Sequence, residues 1–162
     1  GASMMRVAIQ KHFVTVKNRR VHFLRCGIGP VLVLLHASAC SAKVMRDHMV
    51  YFGQKFTVIA TDTPGFGLSD LLPIETVTTE DLADALADTL DALGIAQGIL
   101  AGLVPTDTPI RVRNRLHAIQ HRLAGPHHLQ IILPVLEDEV FREKEIHIRL
   151  AQKIPFRRDA EL

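Results

Sequence analysis

The chain has no tryptophan, one tyrosine (Tyr51) and only two cysteines, Cys26 and Cys40, among its 162 residues. Two cysteines cannot staple a small scaffold, so a disulfide framework is excluded and a reducing, cytoplasmic setting is expected. No apolar run approaches ~18 residues, which excludes a membrane-spanning helix of the usual kind and makes a membrane partner unexpected. The start, Gly1-Ala2-Ser3-Met4, lacks a charged-then-apolar leader and reads as a cloning remnant before a native methionine. A formal net charge of +2 gives no reason to expect a nucleic acid. What remains is 48% hydrophobic and 22% charged, the balance of an ordinary globular domain. One domain over 1–162 suits this length.

The first part of the chain is strongly punctuated. Lys11–Lys17 (KHFVTVK) and Arg20–Cys26 (RVHFLRC) are short and rich in Val and Phe, with Asn18-Arg19 between them, as in an antiparallel hairpin. Gly27–Pro30 (GIGP) breaks the chain. Val31–Leu35 (VLVLL) and Phe56–Ala60 (FTVIA) are continuous apolar runs of strand length, suited to strands buried on both faces. Ser41–Phe52 carries a helical apolar stripe. A second helix is expected from about Glu80 to Leu93, with Thr79 as its cap, Leu82, Leu86, Leu90 and Leu93 on one stripe, and Gly94 at its end. Gly98–Val104 (GILAGLV) is a third buried strand, closed by Pro105. Buried strands alternating with helices predict an α/β fold with a parallel sheet covered on both faces.

Residues 107–162 differ in character. No acid lies between Asp107 and Glu137, while Arg111, Arg113, Arg115 and Arg122 fall there with His117, His121, His127 and His128. A helix is preferred over Val112–Leu123. Leu129–Val135 (LQIILPV) fits a strand, with Pro134 against a central place in a sheet. Leu136–Lys144 suits a helix, and Glu145–Leu150 (EIHIRL) stays open between helix and strand. His117 and His121 share a helical face, yet no Glu of the H-E-x-x-H type intervenes and no cysteine is near. They read as a solvated polar face, and no metal is expected. The arginines lack interleaved aromatics, which argues against nucleic acid. The glycines of GIGP precede a strand instead of following one, so they are no dinucleotide fingerprint and no cofactor is expected.

Residues 11–106 resemble the α/β-hydrolase superfamily. The resemblance rests on the opening hairpin, on Val31–Ser38 (VLVLLHAS), similar to the family's third strand and its following turn, and on Phe56–Ser69 (FTVIATDTPGFGLS). The last contains D-x-P-G-F-G-x-S, the most specific motif in the chain, and Thr79–Ile95 is similar to the helix before the nucleophile strand. The resemblance implies a partial hydrolase-like sheet and a small, mostly apolar ester- or amide-type substrate. It implies an oxyanion turn at the backbone of Ala37 and Ser38, with His36, Asp62 and Ser69 supporting the loops.

The nucleophile elbow G-x-S-x-G is absent from the whole chain. Where the resemblance places it stand Gly102-Leu103-Val104-Pro105-Thr106. Val104 has no nucleophilic atom, and Thr106 replaces the small residue of the tight turn. The catalytic nucleophile and base are therefore unassigned. Two expectations follow: a hydrolase-related protein without its usual nucleophile, or a truncated or chimeric non-catalytic scaffold. In either case the apolar side chains near the oxyanion turn (Phe66, Leu68, Leu71) line a pocket or favour a homo-oligomer.

Overall fold

A computed structural model describes residues 7–36, 40–102, 110, 114, 118 and 129–132. Strands β1 (Gln10–Val16) and β2 (Arg19–Cys26) form the hairpin. Its two-residue turn is Lys17-Asn18, not Asn18-Arg19 as the sequence suggested. Both turn residues have positive φ, 48° and 63°, the pairing that lets a two-residue hairpin follow the twist of its strands. Arg19 is thereby drawn into β2 opposite Val16.

Strand β3 (Val31–Leu35) follows Gly27, whose φ of +78° belongs to the left-handed region and whose missing side chain leaves room for the carbonyls of Phe56 and Gly53. The helix expected over Ser41–Phe52 is divided. Ala42–Met45 is a 3-10 turn, and α1 runs only from Arg46 to Phe52. Strand β4 (Thr57–Thr61) comes next, then a long loop, then α2 (Thr79–Ala92). The cap of α2 is Thr78, one residue earlier than expected. Its hydroxyl accepts from the Asp81 amide at 3.2 Å while the Asp81 carboxylate accepts from the Thr78 amide at 2.8 Å. The Thr78 amide, and with it the Thr78 hydroxyl, donate to the Asp81 carboxylate and hold it below its ordinary range. Strand β5 (Gly98–Gly102) and a short strand β6 (Leu129–Ile132) complete the described elements.

The six strands lie in the order β1-β2-β4-β3-β5-β6. β1 and β2 pair antiparallel, as do β2 and β4, while β4, β3, β5 and β6 run parallel. This is the mixed sheet with flanking helices expected of a partial α/β-hydrolase-like arrangement. Every residue of β3, β4 and β5 is buried, because helices cover both faces. Leu32, Leu34, Val58 and Ala60 face the 3-10 turn and α1, packing on Met45, Met49 and Phe52. Val33, Leu35, Ile59 and Leu100 face α2, packing on Ala83, Leu86 and Leu90.

Cys26 belongs to the first of these layers and donates its thiol to the Met49 carbonyl at 3.2 Å. Burial pushes its pKa from 9.0 up to about 11, so it behaves as a small apolar side chain and not as a nucleophile.

Of the helix expected over Val112–Leu123, only Asn114 and Ala118 are described, and both are helical. Val104, the end of the strand expected over Leu129–Val135, and the elements expected over Leu136–Lys144 and Glu145–Leu150 lie outside the described residues. No described helix is long and apolar enough to cross a membrane.

Candidate active site

The parallel strands β3 and β4 both end at the same side of the sheet, where α/β proteins place their ligands. His36 leaves the end of β3 and Asp62 leaves the end of β4. Both are buried, at 4% and 3% exposure. A carboxylate survives at such a place only if donors surround it, and among the described residues Asp62 has three. Its Oδ1 accepts from the Ala42 amide at 2.7 Å. Its Oδ2 accepts from the Leu68 amide at 2.9 Å and lies 2.7 Å from Nδ1 of His22 on β2. A carboxylate offers only acceptors, so the His22 proton sits on Nδ1.

The backbone repeats the connection. The Asp62 amide donates to the His22 carbonyl at 2.9 Å. Ser69 Oγ donates to the Asp62 carbonyl at 2.8 Å and accepts from the His22 amide at 2.9 Å. Ser69, although on the loop, is thus buried against β2. One residue on, the Asp70 amide donates to the Arg20 carbonyl at 2.9 Å, and the Arg20 amide returns a 2.7 Å bond to the Asp70 carboxylate. The loop after β4 is consequently stitched to β2 along two successive pairs.

His36 joins from the other side. Its Nε2 accepts from the Thr63 amide at 2.9 Å, which leaves the ring proton on Nδ1. The ring meets Phe66 edge to face, with centroids 6.1 Å apart. Within the loop, Gly67 adopts φ +53°. A Cβ at that position would collide with the Asp62 carboxylate itself. The second glycine of the motif is there so that the chain can close over the buried charge.

The structure therefore brings His36, Asp62 and Ser69 into one hydrogen-bonded assembly. Asp62 is enclosed, and among the described residues its carboxylate is engaged by protein donors on both oxygens. Ala37 and Ser38, the oxyanion-turn candidates, lie outside the described residues, as does Val104. His22 was missed by sequence reasoning. The available signal was a histidine set between Val21 and Phe23, within the apolar part of a strand that buries it.

Beyond the assembly the loop turns apolar and outward. Phe66, Leu68, Leu71, Ile74 and Val77 are all partly or largely exposed, Leu71 at 74%. On the α2 side, a recess beside Thr61, Thr63, Pro64 and Thr89 offers about 20 Å³, room for a water and not for a substrate. Among the described residues no group of three or more His, Cys, Asp or Glu is placed to hold a metal ion. His117, His121, His127 and His128 lie outside them.

Comparison with known proteins places this geometry. Over part of its length the chain has an α/β-hydrolase-like fold. It superposes on a haloalkane dehalogenase from Bradyrhizobium elkani with a TM-score of 0.56 and 28% identity, over 59% of this chain and 33% of that one. It superposes on naproxen esterase from Bacillus subtilis with a TM-score of 0.63 over 76% of this chain and 41% of that one, at 22% identity, a likeness of fold alone. No family model matches the chain. Among curated proteins it is 38% identical over 93 residues to bifunctional epoxide hydrolase 2 of Mus musculus, covering 56% of this chain and 17% of that protein. It is 27% identical over 122 residues to a pimeloyl-acyl-carrier-protein methyl ester esterase of Legionella pneumophila, covering 75% of this chain and 49% of that protein. The resemblance to hydrolases, esterases and epoxide hydrolases is thus at the level of a superfamily. The chain spans no more than about half the length of these two relatives.

Proposed function

We propose that this chain carries the anion-stabilising and loop-holding part of an α/β-hydrolase-type site for a small, mostly apolar ester- or amide-type substrate. In this reading Val104 stands where the nucleophile would, so the chain binds such a substrate without forming a covalent intermediate. The observation that supports it is the buried Asp62 carboxylate at the ends of the parallel strands. It fixes Ala42, just beyond the Ala37-Ser38 turn, and Leu68, at the start of the apolar rim. A backbone anion site needs amides held still before charge develops, and the Asp62 bonds to both neighbouring segments would supply that rigidity. His36 and Ser69 serve as loop supports, and the exposed Phe66–Val77 rim serves either substrate contact or self-association as a homo-oligomer.

The test combines three readouts on the full chain. A fluorophosphonate probe with intact-mass spectrometry reports covalent chemistry. Titration with a short-chain aryl ester, followed by NMR at the Phe66 and Leu68 signals, reports binding. Light scattering across a dilution series reports the oligomer. The expected result is saturable ester binding with no adduct, turnover indistinguishable from buffer, and a mass above the monomer. A stoichiometric adduct with turnover overturns the missing nucleophile. Absence of binding overturns the site, and a strict monomer removes self-association.

A further inference from the structure

We infer that His22 is a positioning residue that acts on both site loops through the Asp62 carboxylate. The statement about the site rests on the function proposed above, whereas the statement about the loops rests on geometry alone. The two oxygens of Asp62 serve different segments: Oδ1 holds the Ala42 amide, and Oδ2 holds the Leu68 amide together with His22 Nδ1. A carboxyl group rotates as a plane. Whatever pins Oδ2 also sets where Oδ1 points. The His22 contact comes from β2, inside the sheet, and is therefore the most rigid of the three donors. The other two belong to the segments being held.

The imidazole uses one nitrogen only. His22 Nδ1 lies 2.7 Å from the carboxylate, while Nε2 is buried and has no hydrogen-bond partner among the described residues. The ring instead packs against Phe13, with centroids 5.0 Å apart. A histidine relaying a proton needs partners on both nitrogens. Here the second nitrogen leads nowhere, so the role left to His22 is that of a fixed donor placed close to the strand backbone.

That asymmetry gives a test by isosteres. In His22→Asn the side-chain amide falls where Nδ1 was. In His22→Gln it falls near the unpartnered Nε2. Amide hydrogen exchange is followed by NMR at neutral pH in the full chain, at Ala42 and Leu68, with the β3 amide of Val33 as internal reference. His22→Gln is expected to speed exchange at Ala42 and Leu68 by about tenfold or more relative to Val33, the loss of roughly one charge-assisted hydrogen bond. His22→Asn is expected to stay within about threefold of wild type, since the nitrogen it removes had no partner. Equal acceleration at all three amides would show mere destabilisation and overturn the inference. So would an Asn variant that behaves like Gln or loses its native spectrum. Ester binding by wild type is measured in parallel. Its absence sinks the proposed site while leaving the exchange contrast to stand or fall by itself.

Discussion

Asp62→Ala is expected to destabilise the fold by about 3–5 kcal/mol, the range for removing one partner from a buried charged network. The substitution strands the buried Ala42 amide and His22 Nδ1 proton, where each unpaired donor costs about 1–3 kcal/mol, and also frees the partly buried Leu68 amide. Relaxation of the loop toward solvent recovers part of that sum. Because a domain of this kind is stable by only about 5–15 kcal/mol, the variant is expected to be partly unfolded near 37 °C. Urea denaturation followed by circular dichroism reads the effect as a large drop in midpoint at similar slope. A loss under about 1 kcal/mol would mean that the carboxylate holds nothing.

The second large effect is expected at Gly67. A left-handed conformation costs an ordinary residue about 1–2 kcal/mol, and at Gly67 the added methyl also displaces the Asp62 carboxylate from its donors. Gly67→Ala should therefore lose about 3 kcal/mol or more, strain and broken hydrogen bonds together. Gly94 provides the control. Its φ is +72°, and a Cβ there meets nothing within 4 Å. Gly94→Ala should cost only the conformational part, about 1 kcal/mol. The difference between the two alanines isolates the collision over the buried charge. Equal losses would place the effect in the backbone alone.

Much of this fold is written in local chemistry. VLVLL and FTVIA are too apolar to face water on either side, and the sheet buries them on both. The motif D-x-P-G-F-G-x-S announces a tight loop because its glycines permit positive φ, and both Gly65 and Gly67 use it. What periodicity does not encode is neighbourhood. Nothing in RVHFLRC states that β2 lies beside β4, and that pairing alone makes His22 the partner of Asp62. A histidine between Val21 and Phe23 looks the same whether it is a filler or an anchor. The displaced hairpin turn and helix cap have a similar origin: Lys17 and Arg19 on either side of Asn18, or the successive Thr78 and Thr79, are locally near-equivalent until tertiary packing selects between them.

The bond between His22 and Asp62 lies at the centre of the site, and imidazole-tuned 1H–15N NMR of the full chain observes it directly. The expected spectrum shows His22 with a proton on Nδ1, shifted far downfield and protected from solvent exchange. A rapidly exchanging ring with its proton on Nε2 would contradict the arrangement of the site at its centre.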